Sequence, residues 1–179
     1  MRVRNKTISL VAREFDMKRI HHHTSLFQSE TDYVLRALDS WKPSSFALLE
    51  KQQEQALQAW LRKCLPDVPV LAQYGIAKGK ADLVIQDSHV IELKLGFGES
   101  SVAEFDRCVG QMERYRQKWV KADRGSVYLV VVGDSDPEFR ALLHNWFEET
   151  NSAFLSTILS SPPFHLIEKR TAVTPGSIT

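Results

Sequence analysis

One stretch restricts the possible architectures more than any other: Gly79 to Gly96, GKADLVIQDSHVIELKLG. Its period of two reads as a pair of short strands. Lys80, Asp82, Val84 and Gln86 alternate with Ala81, Leu83 and Ile85. Beyond a tight turn at Asp87-Ser88, Val90, Glu92 and Lys94 alternate with Ile91, Leu93 and Leu95. Side chains two apart in a strand share a face, so Glu92 and Lys94 point together and Leu93 points the other way. A hairpin-like pairing brings Asp82 alongside them, setting two carboxylates and one ammonium on a face otherwise made of apolar residues. Carboxylates crowded there repel each other and lose hydration unless a cation neutralises them. A solvated cross-strand ion pair, worth under about 1 kcal/mol, is one reading. A divalent-metal site is the other, with oxygen ligands for a hard cation and a lysine to position water or stabilise phosphate charge.

The flanking sequence supplies helices and further strands. Ser29 is placed to cap a helix through Leu38 that ends before Pro43, and Ser44 or Ser45 to cap the next, through Lys63 and stopped by Pro66. Leu49, Leu57, Trp60, Leu61 and Cys64 form its apolar stripe, with Glu50 and Glu54 one turn apart beside it. Leu71 to Tyr74 reads as a short first strand. Ser101-Val102-Ala103-Glu104 is a capping box opening a helix to about Val120, on which Gln111 and Tyr115 stack four apart. Gly125 to Val132, GSVYLVVV, has the continuous apolar character of a central buried strand. Ser135-Asp136-Pro137-Glu138 caps another helix to about Glu149, whose apolar face takes Phe139, Leu142, Leu143, Trp146 and Phe147. A further helix over Asn151 to Leu159, a last edge strand over Phe164 to Glu168 and a loose tail complete the reading.

Asp82, followed on the next strand by Glu92-Leu93-Lys94, resembles the signature of the PD-(D/E)xK nuclease superfamily, with Ala81 where the family name puts proline. Gln111-Met112-Glu113-Arg114-Tyr115 resembles the QxxxY motif that follows the catalytic lysine in RecB-like nucleases, lambda-type exonucleases and the motor subunits of type I restriction enzymes. The resemblance covers about Phe46 to Phe147. It implies an α/β fold: a restriction-endonuclease-like mixed β-sheet of about four to five strands flanked by helices. It also implies metal-dependent hydrolysis of phosphodiester bonds. Asp82, Glu92 and Lys94 would be catalytic. Asp82, Glu92, the Leu93 backbone carbonyl and Glu54, with Glu50 in reserve, would hold Mg²⁺ or Mn²⁺. Gln111 and Tyr115 would bind the substrate, a nucleic acid and by default DNA, helped by the basic residues Arg107, Arg114, Arg116, Lys118, Lys121 and Arg124. A homodimer or a place in a larger complex is compatible with this reading. So is a non-catalytic nucleic-acid-binding or assembly module that keeps the fold, and a plain α/β interaction protein is a third reading.

The expected organisation is an N-terminal extension over residues 1–45, a nuclease-like core over 46–169 and a tail over 170–179. In the extension, Thr7 to Val11 could form a strand. Asp16-Met17-Lys18 has the acid-x-lysine spacing without an acid on a preceding strand. His21, His22 and His23 are consecutive, so their side chains diverge, which favours a solvated loop over a shared metal. Some RecB-like members carry a metal-reaching histidine upstream of the Asp, so the resemblance keeps a role for one of them open. A net charge of +1 argues against coating nucleic acid through bulk charge, yet allows a local basic groove. No run approaches a membrane span and no basic-then-apolar leader opens the chain, so a cytoplasmic location without membrane contact is expected. Cys64 and Cys108 read as two buried thiols.

Overall fold

The computed structural model describes residues 30–44, 49–76, 79–96, 102–119, 125–156 and 164–170. Residues 1–29 of the N-terminal extension, Ser45, Ser101, Lys121, Arg124 and residues 171–179 lie outside the described residues. Among the described residues there are four helices and five strands. They are α1 (Glu30–Ser40), α2 (Glu50–Cys64), β1 (Val70–Ile76), β2 (Gly79–Ile85), β3 (His89–Leu95), α3 (Val102–Trp119), β4 (Ser126–Val132), α4 (Pro137–Ser156) and β5 (Phe164–Lys169).

The strands form one mixed sheet in the order β1-β2-β3-β4-β5. β1, β2 and β3 form an antiparallel meander, whereas β4 pairs parallel to β3 and β5 parallel to β4. Parallel neighbours need crossovers, and α3 and α4 provide them. One face of the sheet carries Leu83, Ile85, Ile91, Leu93, Tyr128, Val130 and Val132 against Val34 and Leu38 of α1 and Leu57 and Leu61 of α2. The other carries Val84, Val90, Val127, Leu129 and Val131 against Cys108 and Met112 of α3 and Phe139, Leu143 and Phe147 of α4. Each fully buried leucine or valine contributes roughly 1.5–3 kcal/mol, so these two faces dominate stability. β4 is buried along its whole length, as its unbroken apolar run requires. No helix among the described residues is long and apolar enough to cross a membrane.

Several local expectations are corrected. α2 starts at Glu50 behind Leu49, not behind Ser44, because the Gln52 side chain accepts a hydrogen bond from the Leu49 N–H (3.2 Å). Leu49 itself is exposed, and the Ser44 carbonyl instead accepts from Gln53 Nε2 at 2.9 Å. α4 runs unbroken through Asn151, whose side chain exchanges two hydrogen bonds with the Phe164 backbone on β5 and does not compete with its own helix. Leu142 on that helix is 46% exposed and stands outside its apolar face. The β2–β3 turn centres on Gln86 and Asp87, both at positive φ, one residue earlier than expected. Cys108 is buried, while Cys64 is half-buried; both are free thiols.

The departure that matters most lies midway along β1 and β2. The register pairs Ala72 with Leu83 and Tyr74 with Ala81, leaving Gln73 across from Asp82. Gln73 has φ 52°, a left-handed conformation unusual for a residue with a Cβ. The alternation inverts there: Val70, Leu83 and Ile85 belong to the α1/α2 face, but Tyr74, Ile76 and Ala81 belong to the α3/α4 face. β2 also parts from β3 at this level, since Leu83↔Ile91 is their last pair. Asp82 and Glu92 are the first residues past the parting.

Candidate active site

A sheet that splits leaves backbone groups without ladder partners, and each must be satisfied. Here side chains do it. Asp82 Oδ2 accepts the Leu93 N–H at 2.8 Å, and the Tyr115 hydroxyl lies 2.9 Å from the Lys80 carbonyl. Because N–H and C=O of one strand residue leave the same edge, the Leu93 carbonyl also points toward the split.

The three charges expected on one strand face are neighbours but not face-mates. Asp82 turns into the split, toward α2, and its carboxylate groups with those of Glu50 and Glu54, ligand atoms all within 4.8 Å of one another. Glu92 turns toward α3. Its Oε1 receives Lys94 Nζ at 2.6 Å and Gln111 Nε2 at 2.6 Å, and its Oε2 lies 2.8 Å from the Tyr115 hydroxyl. Lys94 links the two halves, with Nζ also 3.4 Å from Glu50 Oε1. Gln111 Nε2 donates in addition to the Tyr115 oxygen at 2.7 Å. Gln111 and Tyr115 therefore act first on Glu92, and Tyr115 is buried behind it.

The electrostatics follow from this crowding. Burial and then the charge of Glu92 push the Asp82 carboxyl up to about 7. Burial pushes Glu92 up as well, against the pull of Lys94. Burial disfavours the Lys94 ammonium, but Glu92 at hydrogen-bond distance outweighs it and holds its pKa above the ordinary lysine value. Burial and then Glu92 likewise raise the Tyr115 phenol, so it stays a protonated donor. Four carboxylates around one ammonium form a site short of positive charge. Hard oxygen donors, several of them partly solvated, suit a cation such as Mg²⁺ that keeps some of its waters. Glu54, Asp82 and Glu50, the reserve residue, come together beside Leu93. Glu92 stands apart, with both oxygens engaged.

One contributor escaped the sequence reading. Gln73 Nε2 donates to Glu54 Oε2 at 3.0 Å, aiming that carboxylate at Asp82. Nothing in a lone glutamine in a short strand signals the left-handed turn that puts it there.

Beside the cluster lies a cavity of about 310 Å³ whose walls include Glu50, Lys94, Gly96, Glu104, Arg107 and Gln111. Gly96 has no substitute on this wall: a Cβ would overlap the Asp134 carbonyl. Of the basic residues expected along α3, Arg107 reaches this cavity. Arg114 is exposed, and the side chain of Lys118 lies outside the described ones. Arg116 instead pairs with Glu113 at 2.7 Å and lies over the Phe164 ring, 5.5 Å from its centroid. No family model, curated protein or solved structure matches the chain.

Proposed function

We propose that the chain is a metal-dependent nuclease of the PD-(D/E)xK kind, hydrolysing phosphodiester bonds of nucleic acid, by default DNA, on a restriction-endonuclease-like core in the cytoplasm. One observation carries the reading. Where β2 and β3 part, Asp82, Glu54 and Glu50 converge beside the Leu93 carbonyl edge, with Lys94 bridging from Glu50 to Glu92. The resemblance of Asp82, Glu92-Leu93-Lys94 and Gln111–Tyr115 to the superfamily motifs supports it.

Asp82, Glu54, Glu50 and the Leu93 carbonyl would hold Mg²⁺ or Mn²⁺, which, when bound, lowers the pKa of a water and neutralises charge on the attacked phosphate. Lys94 stays protonated beside the site and supplies a fixed positive charge to the oxyanion that develops. Glu92 holds Lys94 in place, and Gln111 and Tyr115 hold Glu92. Gln111 also forms part of the cavity wall, where its amide can meet a phosphate or base edge.

A second reading is favoured by a specific feature. Both oxygens of Glu92 are already engaged by Lys94, Gln111 and Tyr115, as in a closed structural network. That suits a module that binds nucleic acid without cutting it. Cleavage of labelled linear, supercoiled and single-stranded DNA with Mg²⁺ or Mn²⁺, against EDTA and Lys94→Ala, decides between them. The nuclease reading expects metal-dependent cutting that disappears in the variant. Binding without cutting, and no thermal shift on adding metal, would leave the binding module.

A further inference from the structure

Resting on the nuclease reading, we propose that Arg107 grips a backbone phosphate of the substrate strand next to the one attacked, and that Glu104 occupies Arg107 until the strand arrives. Arg107 shares the cavity with Lys94 and Gln111, so a phosphate held there lies beside the candidate site. Arg107, Gln111 and Tyr115 follow one another at four-residue steps and form one stripe along α3. Its inner end is Tyr115, buried on Glu92; Gln111 reaches both Glu92 and the cavity; the Arg107 side chain, 73% exposed, stands at the mouth. Arg116, on the same helix, is turned away toward β5.

The pairing in the free protein is suited to exchange. Arg107 Nη2 meets Glu104 Oε1 at 3.3 Å through a single contact, longer than the roughly 2.7–2.9 Å of a well-formed charge-assisted bond. A phosphate offers the guanidinium fork two parallel bonds in place of this loose one. Glu104 also lines the cavity, so it stands where the strand's negative charge would come. The cavity is at the lower end of the roughly 300–1,000 Å³ typical of ligand pockets, a size for a phosphate with its sugar.

The test uses the full chain, a labelled single-stranded DNA oligonucleotide, and Ca²⁺ in place of Mg²⁺ during the binding measurements. Affinity is titrated against salt for wild type, Arg107→Gln, Glu104→Gln and the control Arg116→Gln. Arg107→Gln should weaken binding about tenfold and flatten the log-log salt slope by about 0.7, the loss of one phosphate contact on a single strand. Glu104→Gln should tighten binding by about twofold or more, and Arg116→Gln should leave the slope unchanged. In Mg²⁺, the Arg107→Gln loss should fall on KM with kcat kept, as for uniform binding. An unchanged salt slope in Arg107→Gln, or weaker binding by Glu104→Gln, in an enzyme that still cuts overturns this assignment alone. A wild-type chain that neither binds nor cuts overturns the nuclease reading with it.

Discussion

Replacing Asp82 by asparagine separates a catalytic acid from a structural one. The Asp82 carboxyl is held at about 7 against an ordinary 3.8, by burial first and Glu92 second. Between those two pH values the native state binds more protons than the unfolded state, so stability must fall as pH rises. The full loss, complete above about pH 7, is at most about 4 kcal/mol. Asparagine removes the charge but keeps an oxygen to accept the Leu93 N–H, so the fold loses little. At pH 4 the variant should match wild type within about 1 kcal/mol, and at pH 8 it should be the more stable of the two by several. Glu92 is raised in the same sense and keeps part of the slope in the variant. Asp82→Ala is different: it leaves the buried Leu93 N–H without a partner, a cost of roughly 1–3 kcal/mol. Urea unfolding at pH 4, 6 and 8 in metal-free buffer measures all three proteins. Saturating Mg²⁺, at about 100 times its Kd, should add about 2.7 kcal/mol to wild type and little to Asp82→Asn. Parallel pH profiles for wild type and Asp82→Asn, or an asparagine variant less stable at pH 8, would refute the reasoning.

Lys94→Ala strips the buried Glu92 of its cation and should cost about 3–5 kcal/mol at pH 8, and less as the pH is lowered and Glu92 takes up a proton; denaturant melts across a pH series check it. Tyr115→Phe removes the hydroxyl shared by Glu92 and the Lys80 carbonyl. It should cost roughly 1–3 kcal/mol in chemical denaturation and slow cleavage through a mispositioned Glu92. Gln73→Gly should move two readouts in opposite directions. Relief of the positive φ raises the melting temperature by the equivalent of about 1 kcal/mol, while loss of the contact to Glu54 weakens Mn²⁺ binding seen by titration calorimetry.

Much of the fold was readable because its signals are periodic. The apolar run of β4 and the Leu57–Leu61 stripe of α2 report burial directly, and the period of two in β3 reports which residues share a face. The site was readable in composition but not in arrangement. Glu92 and Lys94 do share a face, as a regular strand demands. Asp82 does not join them, because the left-handed Gln73 inverts the alternation across from it. A single residue's φ leaves no periodic trace. The expected α2 start behind Ser44 or Ser45 failed for a related reason: the helix begins behind Leu49, where the Gln52 side chain three residues ahead accepts the Leu49 N–H and no serine is needed. The break expected between a helix ending near Glu149 and another starting at Asn151 does not occur, because the Asn151 side chain bonds to β5 and leaves the helix intact. One turn of α2 brings both Glu50 and Glu54 to Asp82, so spacing alone gives no ground for preferring one of them.

The bond from the Leu93 amide to Asp82 gives the molecule a spectroscopic handle. An amide proton held by a carboxylate shifts when that carboxylate is protonated or drawn toward a cation, and a sheet-ladder amide in the same strand does not. In a ¹⁵N-labelled sample, the Leu93 resonance would therefore trace the ionisation of Asp82 and its engagement by metal, with the neighbouring Ile91 amide as an internal reference. Occupancy of the proposed metal site could then be followed at one amide, independently of any substrate.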